Sequence, residues 1–482
     1  MGSLLFNSLG TSLLATVLAL GLGFAAALFA SALPARAQRT ILVLAIIAMA
    51  LPPFAVANCW LHYLGATGVW RHWLPIDLFS IWGVAWILAL MFWPITFAAA
   101  WSAWRTLDSA HFDAEPALCG ASLVRWLLFP VARDVIAAVA VLTFALALNQ
   151  FSVPAIFQVK VLPVEFWIRF STNLDAGKAL AACWPLILIP FAAWLLLRRT
   201  QVSWPSLEGH ANTNRFRHHL GRPLFVLTTI ISVLVIGLSV AVPLWQLLAS
   251  PRTWRELPQV FRAITPATVN TFVFAAAAAS IAVVAGLCLW RLRLGGLLWI
   301  LFLTPGVLLS VAIIWLFNRS MLEVIYRSTA IVVIALCLRY AGPVWALVRR
   351  AFITVDRSVL EAATLDGLRG WALVRHVYLP HAAPVLFAAW YIAYLLCLWD
   401  VETLALLYPP GAETLALRVF NLLHYGHMAQ VNGLCIILLG LALAPGLLYV
   451  LLCHRVFGAT PCRTFTYKRH AAAMTPESDG SG

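Results

Sequence analysis

The sequence predicts an all-α polytopic membrane protein, and three observations carry that prediction. Of its 482 residues 63% are hydrophobic and only 10% charged, a balance foreign to soluble domains and the reverse of a disordered chain. Eleven apolar windows of the length that crosses a bilayer as helix, about 20 residues, can be drawn along it. A long internal repeat, with an offset of 247 to 250 residues, joins its two halves.

The first window, 9–32, has no basic start, and its first arginine, Arg36, comes after the apolar run. It therefore reads as a permanent span with an outside amino terminus rather than a signal peptide. Windows 41–64 and 81–104 follow, the second closed by Arg105. Window 135–153 opens after Arg125 and Arg133, and 179–197 closes on Arg198 and Arg199. Window 224–248 is followed by 269–290, which stops before Arg291. The last four are 297–317, 329–348, 385–404 and 431–452. If alternate connections face the cytoplasm, 21 of the 32 Lys and Arg lie inside and ten outside, with Arg339 alone within a span. That asymmetry orients the chain and accounts for its net charge of +14 without nucleic acid as a partner. The nine cysteines mostly fall singly in apolar runs, without the pairing of a disulfide framework or a zinc site.

The repeat is read from two segments, SLVRWLLFP ending at Pro130 and ALVRHVYLP ending at Pro380. Upstream, Leu118-Cys119-Gly120 is matched to Leu365-Asp366-Gly367; downstream, Glu165 with Arg169 and Phe170 is matched to Glu413 with Arg418 and Phe420. Each copy places its basic segment after the third helix of a five-helix core, so the copies are parallel, and one extra crossing must return the chain between them. The expected organisation is a first half over 1–199, a polar cytoplasmic linker over 200–222, a linking span with an outside loop over 223–268, a second half over 269–455, and a cytoplasmic tail over 456–482 that reads as disordered.

Residues 356–380 read DRSVLEAATLDGLRGWALVRHVYLP. Asp356 or Ser358 suits a helix cap, Ala362 and Ala363 leave a slim surface for close approach, Gly367 permits φ > 0 between two short helices, and Pro380 suits the first turn of the next span. The pattern Glu361-Ala362-Ala363, Gly367, Val377, Leu379, Pro380 resembles the EAA loop of ATP-binding-cassette importer permeases, with Val377 in place of the usual isoleucine. The resemblance covers both halves, as in fused permeases for ferric iron, with thiamine and polyamine relatives. It implies that the loop couples the membrane part to a separate ATPase. It also implies two copies of that ATPase inside, a substrate-binding protein outside, no cofactor and no catalysis by this chain. The first copy departs from the pattern: Asp113 or Glu115 stands near the expected glutamate, Pro116 interrupts the helix, and Gly120 lies ten residues before Pro130 where Gly367 lies thirteen before Pro380.

No ATP-hydrolysing motif is present. Gly177-Lys178 is the only Gly-Lys pair, Ala179 follows it, and Thr172 holds the place of the first glycine. HExxH and GxSxG are absent too. His424 and His427 have a spacing that suits either a metal or a wet interface. Arg339 in the ninth window, with Asp400 and Glu402 at the end of the tenth, forms either an internal ion pair or, with Asn149 and Gln150, a polar translocation path between the halves. The stretch ALNQFSVPAIFQ looks most like ferric-iron permeases, although Gln150 stands where an acidic residue is common there. A polytopic lipid enzyme and an ion-driven secondary transporter are the competing classes; neither accounts for a docking loop shared by both halves.

Overall fold

In the computed structural model the described residues are 2–74, 76–105, 107, 111–112, 118–199, 213–292, 294–355, 357–424 and 428–457. They form helices and connections, with no strand among them. The first half holds α1 (Gly2–Ser31), α2 (Ala35–Ala50), α3 (Pro53–Leu64), α4 (Ile81–Trp104), α5 (Phe129–Asn149), α6 (Leu162–Asn173), α7 (Ala176–Cys183) and α8 (Pro185–Arg199). Between the halves lie α9 (Thr213–Leu220), α10 (Arg222–Ile236) and α11 (Val242–Ala249). The second half holds α12 (Pro251–Leu289), α13 (Gly295–Leu303), α14 (Gly306–Phe317), α15 (Ala330–Ile353), α16 (Arg357–Leu365), α17 (Leu379–Leu398), α18 (Leu415–His424) and α19 (Met428–Phe457).

Eight helices among the described residues are long and apolar enough to cross a membrane, and two bent pairs raise the number to ten. Three of the eleven windows drawn on the sequence are interrupted, each at a proline. The pair α2 and α3 bends by 88° at Pro52-Pro53, and α13 and α14 bend by 112° at Thr304-Pro305. Proline lacks the N–H of a helical bond and pushes the residue before it out of the α region. Leu51 and Thr304, each preceding a proline, accordingly sit at ψ 126° and 134°. The window 179–197 breaks at Pro185, leaving α8 with 15 residues, about 22 Å of helix.

The halves repeat one packing scheme. α1, α4 and α5 pack on one another, as do α12, α15 and α17. Small residues make the first contact close. On α1, Ala15, Ala19, Gly23, Ala26, Ala27 and Ala30 are buried, and a Cβ at Gly23 would fall 2.4 Å from Trp93 O and 2.6 Å from Thr96 Cβ. Helices in lipid associate by such close van der Waals contact, since no hydrophobic gain separates helix from acyl chain. Hydroxyls on the same helix turn back to it: Ser12 Oγ donates to Ser8 O at 2.7 Å and Thr16 Oγ1 to Ser12 O at 2.6 Å. The repeat extends to surface pairs, with Arg169 on Glu165 at 2.7 Å and Arg418 on Glu413 at 3.2 Å.

The last helix of each half reaches into the other. α8 packs on α5 and on α13, while α19 packs on α12 and on α3. A buried amide cluster fastens the second of these contacts: Asn58 Nδ2 donates to Asn432 Oδ1 at 2.7 Å, and Gln246 Nε2 to the same oxygen at 3.2 Å. The linking span is thereby tied into the seam through α11. Overpacking the α1–α4 contact tests this arrangement. Gly23→Val should destabilise the purified protein by about 1–3 kcal/mol, the usual penalty for forcing methyl groups into a filled contact, seen as a lowered melting temperature; an unchanged melting temperature would show that the two helices have room to part.

Candidate functional site

Two turns, one in each half, begin from a glycine in the same unusual backbone state. Gly120 has φ 63° and ψ −128°, and Gly370 has φ 55° and ψ −124°. Each leads into one helical turn and then a five-residue π-helical segment, Val124–Leu128 or Val374–Tyr378. Pro130 and Pro380 follow in the first turn of α5 and α17, where the missing N–H is harmless. The structure therefore pairs Gly120 with Gly370, each ten residues before its proline. The sequence match of Gly120 to Gly367 was three residues out of register, and the shorter connection it implied does not exist.

Gly367 has a different task. With φ 82° it ends α16, where Leu368 N donates to Ala363 O at 3.0 Å and Gly367 N to Thr364 O at 3.1 Å, the two bonds of a Schellman cap. Helix α16 spans Arg357–Leu365, so Ser358 stands in its first turn rather than at its cap, and Asp356 lies outside the described residues. Ala363 is buried, whereas Glu361, Ala362, Leu379 and Pro380 are exposed and Leu365 is 88% exposed. Asp113, Glu115 and Pro116 of the first copy lie outside the described residues, as do residues 425–427 of the histidine pair and the tail from 458.

At the far ends of α5 and α17, about 30 Å along each helix from these turns, the candidate path residues meet. Arg339, Asp400 and Glu402 are each at most 8% exposed. The guanidinium of Arg339 contacts Glu402 Oε2 at 2.5 Å, Asp400 Oδ1 at 3.6 Å and Thr403 Oγ1 at 2.6 Å. Tyr340 Oη donates to Asp400 Oδ2 at 3.0 Å, and the Thr403 N–H to Asp400 Oδ1 at 2.8 Å. Two bonds cross between halves at this cluster: Phe151 N donates to Glu402 Oε1 at 2.8 Å, and Asn149 Nδ2 to Leu303 O at 2.6 Å. Gln150 instead bonds within its own half, to Ser152 Oγ at 2.7 Å.

Three partners escaped sequence reasoning. Tyr340 and Thr403 look like ordinary membrane-helix residues until the fold brings them to Asp400. Gly306, just after the α13–α14 bend, is the third: a Cβ there would fall 1.4 Å from Arg339 Nη1, so only glycine lets the guanidinium pass. The signal available in sequence was Pro305-Gly306 inside an apolar window.

No family model matches the chain. The spermidine/putrescine transport system permease protein PotC of Haemophilus influenzae is 26% identical over 204 residues, covering 40% of this chain and 78% of that protein. The chain is a relative of ATP-binding-cassette importer permeases. PotC of Escherichia coli is 27% identical over 148 residues, 31% of this chain, and the match spans about half the length of that relative, 55%. A probable molybdenum ABC transporter permease of Haloferax volcanii is 27% identical over 198 residues, 40% of this chain and 71% of that protein. These importer-permease relatives are transport subunits and not enzymes. The Haemophilus permease is little more than half as long as this chain.

The seam makes a stability prediction. Removing one partner of a buried ion network leaves charge uncompensated and costs about 3–5 kcal/mol. Arg339→Met should therefore lower the melting temperature sharply, whereas Arg339→Met combined with Asp400→Asn and Glu402→Gln should recover most of the loss. A single variant as stable as the parent would mean that water reaches the cluster.

Proposed function

We propose that this chain is the membrane permease of an importer, forming both halves of the substrate pathway and coupling to two copies of a separate ATPase through its cytoplasmic loops. The observation that carries this reading is the duplicated glycine turn, in one backbone state at an offset of 250 residues, at the head of a helix in each half whose other end lies in the inter-half seam. A push on either turn has a rigid helix along which to reach the contact between halves. The chain sits as a multi-pass protein in the bacterial cytoplasmic membrane, amino terminus outside and carboxyl terminus inside, surrounded by lipid and served from outside by a substrate-binding protein. The basic residues, 21 inside against ten outside, support that orientation.

The relatives above are named for spermidine/putrescine or molybdenum transport, and none of those named carries iron in its name; the ferric-iron expectation finds no support there and gives way to a polyamine. Charge at the seam favours a cation as well. One arginine faces two carboxylates there, a surplus of negative charge that would repel an oxyanion. Putrescine and spermidine uptake, measured beside ferric iron, thiamine and molybdate in a strain lacking its own importers but supplied with the cognate ATPase and binding protein, tests the cargo. Polyamine uptake that stops when ATP is depleted is the expected result; uptake of molybdate alone would contradict it.

The same assay tests the coupling loop. A Cβ at Gly367 meets nothing within 4 Å, so Gly367→Asp harms no contact within the chain. It adds charge and φ > 0 strain of about 1–2 kcal/mol at an exposed turn. Uptake should be abolished with the membrane level of the protein unchanged. Gly120→Asp, at the counterpart of Gly370 rather than of Gly367, should do less, because that turn is already held by the chain itself, Gly120 N donating to His219 O at 2.7 Å. Full transport by Gly367→Asp would remove the coupling role from the loop.

A further inference from the structure

The charged part of the seam belongs to one half only. Helices α4 and α15 correspond, each of 24 residues, and the place that Arg339 takes in α15 is taken by Leu90 in α4. At the repeat offset of 250, Asp400 and Glu402 correspond to Gln150 and Ser152, and Gln150 Nε2 donates to Ser152 Oγ at 2.7 Å. The first half satisfies its polar pair within itself. The second half aims a carboxylate across the seam, where an ionisable group is costly and marks a function.

The atoms of that cluster divide into those held within the second half and those turned to the first. Asp400 is held: Oδ1 accepts from Thr403 N at 2.8 Å, and Oδ2 from Tyr340 Oη at 3.0 Å and Thr403 Oγ1 at 2.7 Å. Arg339 holds Glu402 by Oε2, so Oε1 is the carboxylate oxygen facing the other half, on Phe151 N at 2.8 Å. Two residues before Phe151, Asn149 gives Nδ2 to Leu303 O at 2.6 Å, and its Oδ1 is buried with no partner among the described residues. That amide cannot be turned over, because its oxygen would then face the carbonyl oxygen of Leu303. A buried acceptor without a donor costs free energy that a donor would return. Glu402 Oε1 and Asn149 Oδ1 are thus two acceptors, one from each half, beside a cluster in which one arginine faces two carboxylates.

We propose that these two oxygens receive an ammonium group of the cargo when the halves part. Glu402 Oε1 then leaves Phe151 N–H and accepts from the cationic amine together with Asn149 Oδ1. When the halves close, Phe151 N–H returns to Oε1 and expels the amine, so one oxygen serves the closed seam and the cargo in turn. Arg339 is a positioning residue: by holding Oε2 it keeps Oε1 facing the gap. An amine supplies both the positive charge and the donors that the site lacks, whereas an oxyanion supplies neither and is repelled. The inference rests on the reading of the chain as an importer permease for a polyamine, and it names the atoms that hold the cargo.

Putrescine taken up per ATP hydrolysed, in proteoliposomes holding the chain with its ATPase and binding protein, reads this site. The ratio counts only assembled transporter, so a variant made in lower yield is still measured. Glu402→Gln keeps an acceptor for Phe151 N–H and removes the charge; it should lower the ratio roughly tenfold, the worth of one hydrogen bond to a charged group. Glu402→Asp, which keeps the charge in the same half, should retain more of the ratio than Glu402→Gln. Glu402→Gln combined with Asn149→Asp moves the carboxylate to the other half and should recover most of the loss. A cluster that only holds the fold together predicts a further loss for that pair, since Asn149→Asp removes the donor to Leu303 O and sets two oxygens against each other. An unchanged ratio in Glu402→Gln, or a double variant worse than the single one, would overturn the proposal and leave the importer reading standing, because the parent still carries putrescine. A parent that carries no polyamine would overturn both.

Discussion

The contact between Glu402 and the backbone of Phe151 is the constraint on which the rest of the arrangement depends. It joins the end of one half's long helix to the corresponding place in the other half, and it holds a carboxylate in a region where charge is costly. Glu402 is tolerated because Arg339 faces it from α15, and Arg339 fits because Gly306 has no side chain. Asp400 is satisfied separately, by Tyr340 and by the amide and hydroxyl of Thr403. Ser310 of the broken helix pair ties in through Thr403 O at 2.7 Å. The bend at Thr304-Pro305, the buried arginine and the inter-half hydrogen bond are thus joined in one connected network.

Its position gives it mechanical meaning. Two hydrogen bonds, from Phe151 N and Asn149 Nδ2, cross between halves at the ends of α5 and α17 remote from the glycine turns. Rocking the halves apart must break them, and the freed groups would meet whatever enters the gap. A packed seam of this kind has discrete arrangements rather than a continuum, and the alternating pathway proposed above needs such discrete states. The second seam, of uncharged amides around Asn432, holds the linking span to both halves, so that crossing is part of the assembly and not only a tether.

Much of this was legible in the sequence, and the rest failed for identifiable reasons. Composition and the placement of arginines set the membrane class, and a strongly repeated segment such as SLVRWLLFP against ALVRHVYLP located the two turns. Gly367 was readable as a φ > 0 position because a helix end followed by glycine is a local signal. The register at Gly120 was not readable: Leu-Cys-Gly invites a match to Leu-Asp-Gly, and only backbone angles show that Gly370 is the counterpart. The bends at Pro53 and Pro305 leave no mark in hydropathy, since an apolar stretch is equally apolar whether straight or bent. Arg339, Asp400 and Glu402 were singled out by their charge. Their partners Tyr340, Thr403 and Gly306 carry no such mark, and they are brought to Asp400 and Arg339 only by folding.

The central claim is that one chain supplies both halves of an ATP-driven pathway. Native mass measurement of the transporter purified through this chain, in detergent or nanodiscs with its ATPase, tests that claim directly. The account requires a complex of one permease chain with two ATPase subunits that hydrolyses ATP and moves cargo when reconstituted. A functional complex containing two copies of this chain, or this chain with a second and different permease chain, would contradict it.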